Sequence, residues 1–197
     1  MSLCEEKVYN QFEPTKTAPK VIIDYLCKNN EDIWKLLYYI KPDELPLSQP
    51  NLSLSEKVNM ICTDPYALND NVDKNILFQV VTDEAFSTAI PQLRVEVGDI
   101  IAIDPYRAYM EINFQIVVPN KQDIFTAPYN NVARRTIAIF QELVKTFNGV
   151  EIPNSGFHGK MFMDRNAPNG SGRKTGSYPQ QMNDSYSGRW CTFAVLI

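Results

Sequence analysis

The chain has 197 residues, 44% hydrophobic and 21% charged, which fits one globular domain with an appendage or two small domains. Its formal charge of -4 argues against non-specific duplex binding, which needs a surplus of Lys and Arg to neutralise phosphate. There is no apolar run of about 18 residues, so no membrane span is expected, and the four cysteines (Cys4, Cys27, Cys62, Cys191) are scattered without a CxxC pair, as free thiols in a reducing compartment are.

Residues 1–17 are polar, lack a hydrophobic signal core and read as an N-terminal arm that needs a neighbour to order it. Residues 18–75 read as a helical subdomain. Its first helix has a cap at Thr17, Pro19 in the first turn and a stripe of Val21, Ile22, Tyr25 and Leu26. Asn29 and Asn30 end it. A second helix over residues 31–39 packs through Ile33, Trp34, Leu37 and Tyr38. After a proline loop, Ser53-Leu54-Ser55-Glu56 is a capping box that opens a third helix reaching about Cys62.

Residues 76–197 read as an α+β core domain: an antiparallel sheet of about four to five strands covered by one long helix. Residues 76–81 are a short strand candidate. Residues 92–104 alternate through Leu93, Val95 and Val97 until Gly98-Asp99 breaks the pattern as a bulge or bend does. Residues 110–118 alternate cleanly, and the two runs make a long antiparallel hairpin. The helix is expected over about 130–148, capped by Asn130 or Asn131, with Ile137, Phe140, Val144 and Phe147 on its packing face and Arg134, Arg135, Gln141 and Lys145 outward. Gly149 stands where a left-handed C-cap residue is expected. A short strand over 159–163 precedes a long loop over 165–188, and residues 190–197 close the chain as a buried strand.

Catalytic patterns are weak. NGSGRKTG over 169–176 fails as a phosphate loop, because Arg173 stands where a glycine must precede Lys174. His158 is the only histidine, and a nucleophile pairing would need it to meet a cysteine in space. Asp99, Asp104 and Glu111 read as solvated strand-end charges rather than paired acids. No metal set or cofactor motif is present, so no metal and no cofactor are expected.

Taken in order, NEDIWKLLYYIKPDEL, LSLSEKVNMI, QLRVEVGDIIAIDPYR, EINFQIVVPNK, the helix ending LVKTFNG and a final strand after a long loop carry a resemblance. This arrangement, over about 21–197, resembles the neck and tail-completion proteins of tailed bacteriophages, particularly the tail-terminator group. The resemblance implies a non-enzymatic ring subunit at the head–tail junction, six-fold or alternatively twelve-fold. Its partners would be further copies of itself, the tail tube and the head connector or portal, with DNA passing through without specific binding. It would be found in the virion, assembled in the host cytoplasm, and would not touch a membrane. Arg134, Arg135, Arg165, Arg173, Lys174 and Tyr178, on the helix and the long loop, are the expected subunit or partner contacts. The competing expectation is a small soluble α+β enzyme or ligand-binding domain with a site under residues 165–188, beside His158, Lys160, Asp164 and Cys191.

Overall fold

A computed structural model describes residues 13–41, 45–62, 74–78, 89–127, 131–163, 176–183 and 185–197. The chain runs α1 (Glu13–Asn29), α2 (Asp32–Tyr38), a 3-10 turn (Pro46–Ser48), α3 (Leu54–Asn59), β1 (Ile76–Leu77), β2 (Gln92–Asp104) and β3 (Arg107–Pro119). It continues with α4 (Asn120–Asp123), β4 (Ile124–Ala127), β5 (Asn131–Arg134), α5 (Arg135–Phe147), β6 (Gly176–Asn183) and β7 (Tyr186–Leu196). The α+β architecture is the one expected. A five-stranded sheet has the order β1-β2-β3-β7-β6, and β4 and β5 form a separate two-stranded ribbon.

The β2–β3 hairpin is the backbone of the sheet. Its register runs from Gln92 opposite Val117 to Asp104 opposite Arg107 and shifts between Val97 and Ile100, where Gly98-Asp99 was expected to bulge. A side chain at Gly98 would force the Asn113 amide to shift: its Cβ would lie 2.5 Å from the Asn113 amide nitrogen and 3.1 Å from the Glu111 Cβ. β7 lies antiparallel to β3, and β6 to β7. β1 alone pairs parallel, with β2. The stretch between Leu77 and Gln92 is long enough for the crossover that a parallel pair needs.

One face of the sheet carries the core. Leu93 and Val95 from β2, Met110, Ile112, Phe114, Ile116 and Val118 from β3, and Cys191, Phe193 and Val195 from β7 are all buried in one cluster. Phe147 of α5 closes it, stacking on Phe114 at 5.4 Å and meeting Phe193 edge-on at 6.0 Å. α1 and α2 join the same cluster through Ile22, Ile23, Leu26, Trp34 and Leu37, so the helical segment packs directly on the sheet. The Ser53–Glu56 capping box forms at the start of α3. Lys57 then fastens that helix to α1 and α2 by donating to the Cys27 carbonyl at 3.1 Å and to Glu31 at 2.5 Å. Asn30 links the turn after α1 to α5: its side chain accepts from the Ile33 N–H at 2.9 Å and donates to Thr146 at 2.8 Å.

Four expectations are corrected. α1 begins at Glu13, ahead of Thr17, and Pro19 sits inside it because the Ala18, Ile22, Ile23 and Leu26 face is fully buried and holds the helix across the missing N–H. The central helix is shorter at its start: residues 131–134 belong to β5, since Asn131, Val132, Ala133 and Arg134 pair with β4. Its packing face is also rotated, with Thr136, Ile139, Leu143 and Phe147 buried while Ile137, Phe140 and Val144 are only half-buried flanks. Finally, part of the expected 165–188 loop is strand, β6 and the start of β7; residues 164–175 lie outside the described residues, as do 1–12 of the arm. Gly149 does adopt the left-handed conformation expected after the helix, at φ +78.

Phe147 touches both the sheet and α1, where Tyr25 lies 6.0 Å from its ring. Phe147→Ala is expected to destabilise the fold by about 3–5 kcal/mol, the usual cost of emptying an aromatic core site. Urea unfolding checks it, with the loss appearing as a lower midpoint at unchanged slope.

Candidate interaction surfaces

Arg134 and Arg135 stand side by side in sequence but do opposite things. Arg135 is fully buried, contrary to the outward placement expected for it. Its Nε donates to the Gln122 carbonyl at 2.9 Å, its Nη1 donates to the Leu36 carbonyl, and the guanidinium lies 5.3 Å over the Phe125 ring. It therefore joins α2, α4, β4 and α5 and has no face to offer a partner. Arg134 stays largely exposed and pairs with the buried Asp123 at 2.8 Å. Asp123 uses its second oxygen to accept the Thr136 N–H at 3.0 Å, which caps α5 from outside the helix. The same corner is tied to β7, because Arg134 reaches Ser187 and the Ser187 hydroxyl donates to Asn120 at 2.7 Å.

Of the other expected contact residues, Arg165, Arg173 and Lys174 lie outside the described residues. Tyr178 falls on β6 at the edge of the sheet, opposite Trp190.

The second face of the sheet is polar and yet buried. Gln92, Arg94 and Gln115 are each only 2% exposed, and Arg94 donates to Gln92 at 2.8 Å and to Gln115 at 3.4 Å. Loss of hydration brings the Arg94 pKa down to about 10, still a cation at neutral pH. Further along, the Trp190 indole donates to Thr192, Thr192 donates to Asn113, and Asn113 donates to Glu96, a chain that crosses β7, β3 and β2. These side chains bind one another across strands; alternation alone marks them as facing away from the core but does not show that they are covered.

The acids expected as solvated strand ends differ from one another. Asp104 is held below the usual carboxylate range by the Tyr106 N–H and then by Arg107 in the hairpin turn. Glu111 is 8% exposed, and burial raises its pKa. It lies four residues along β3 from Arg107, the partner of Asp104, or about 13 Å at strand spacing. That is too far for the two to act as a retaining pair. His158 is exposed, and its backbone N–H donates to Leu196 at 2.7 Å. Cys191 faces the core, fully buried, with its thiol pushed well up by loss of hydration. Leu196 is about 17 Å along β7 from Cys191, so the strand does not bring histidine and thiol together. Asp164 lies outside the described residues. A groove of about 430 Å³ between α1 and residues 152–154 is lined by Tyr25, Lys28, Asn29 and Asn154 and contains neither His158 nor Cys191. Among the described residues, no group of three or more His, Cys, Asp or Glu is placed to hold a metal ion.

Several large apolar side chains are exposed, among them Leu54 and Val58 of α3 and Tyr38 of α2. In the β4–β5 ribbon Phe125 turns inward, 2% exposed, while the other face carries Ile124 at 57%, Thr126, Val132 at 74% and Arg134. At the far end of β2–β3, Ile100, Ile103 and Tyr106 are exposed.

The fold and these surfaces define a small α+β protein whose buried polar groups hold its elements together and whose exposed apolar side chains lie on α3, the β4–β5 ribbon and the β2–β3 hairpin end. The chain belongs to the YomW family, a phage-derived Bacillus protein family whose model matches residues 30–194. It is a phage-associated protein. No curated protein and no solved structure matches the chain.

Because burial raises the Glu111 pKa, the folded state binds a proton more readily than the unfolded chain. Glu111 therefore costs stability as the pH rises above 4.5, and the cost is absent below it. Glu111→Gln is expected to raise the melting temperature at pH 7, with the gain fading as the pH falls through 4.5. Thermal unfolding followed at several pH values checks the trend.

Proposed function

We propose that the protein is a structural subunit of a phage head–tail junction ring, in a tail-terminator or tail-completion role. It joins the tail tube to the head connector or portal and surrounds the DNA channel. It is not an enzyme, and its place is the virion neck, assembled in the host cytoplasm.

The observation that carries this reading is the exposed turn of the β2–β3 hairpin. β7 accompanies β3 only as far as Leu196 opposite Tyr109, and Ile197 exchanges two backbone hydrogen bonds with Ala108. Beyond that point, among the described residues, the hairpin pairs only with itself, and it ends in Ile103 and Tyr106, 39% and 70% exposed. Exposed apolar side chains on a hairpin turn add little to a monomer but suit a protein that contacts a neighbour. Membership of a phage-derived family supports the same reading, as does the net charge of -4, which would keep a passing duplex from adhering. Arg134, Arg165, Arg173, Lys174 and Tyr178 are the proposed partner contacts in this scheme, and the buried Arg135 is not one.

The test is genetic. Removing the gene from the phage that encodes it is expected to leave filled heads and tails unjoined, or tails of irregular length, in electron micrographs. Normal, infectious particles without the protein would overturn the reading.

A further inference from the structure

We draw no further inference here: the strongest candidate, the outer edge of β2 beyond its short pairing with β1, where Ile100 and Ile103 are exposed, carries nothing because nothing in the structure shows what covers it.

Discussion

A guanidinium without access to water constrains most of this fold. Arg135 opens α5 and is wholly buried, and its donors reach the Leu36 carbonyl in α2 and the Gln122 carbonyl in α4 while its plane lies over Phe125. A buried cation deprived of its acceptors would cost several kcal/mol, so these elements are held in one arrangement or the charge is stranded. Leu36 lies near the C-terminal end of a short helix, where backbone carbonyls carry partial negative charge and suit a cation. Asp123 completes the corner from the other side by capping α5 and holding Arg134. The ribbon owes its orientation to this pair: Phe125 inward against Arg135, Ile124 and Val132 outward.

Much of this was legible in the sequence, for physical reasons. The strict alternation of β3 and the Gly98-Asp99 break in β2 gave the hairpin its span and its bulge, because a period of two survives wherever one face is buried. The Ser53–Glu56 box needs only local chemistry and appears as expected. Gly149 likewise marks its helix end by a conformation that glycine reaches without strain.

The misses share a cause. The sequence predicts Arg135 outward because a cation on an amphipathic helix usually is, and only its long-range acceptors, 13 and 99 residues away, overturn that prior. Residues 131–134 look helical beside a strong helix, yet pairing with β4 takes them. The helix face differs from its sequence expectation for the same reason: Thr136 and Thr146 are buried alongside Ile139 and Leu143, while Phe140 is drawn to the flank, where Arg189 lies 5.2 Å over its ring. The covered polar face of the sheet was hidden for a related reason. Alternation reports which residues point together, not whether another segment lies on them.

Aromatic stacking and the Arg135 corner hold the core together, and the hairpin turn, the ribbon and α3 leave apolar side chains exposed outside it. The measurement that bears most directly on a ring subunit is the native mass of the purified protein over a range of concentrations, paired with negative-stain images. Closed rings of six copies of the 22.5 kDa chain, alternatively twelve, are the predicted result. A monomer at every concentration, with and without purified phage tails as a template, would contradict it.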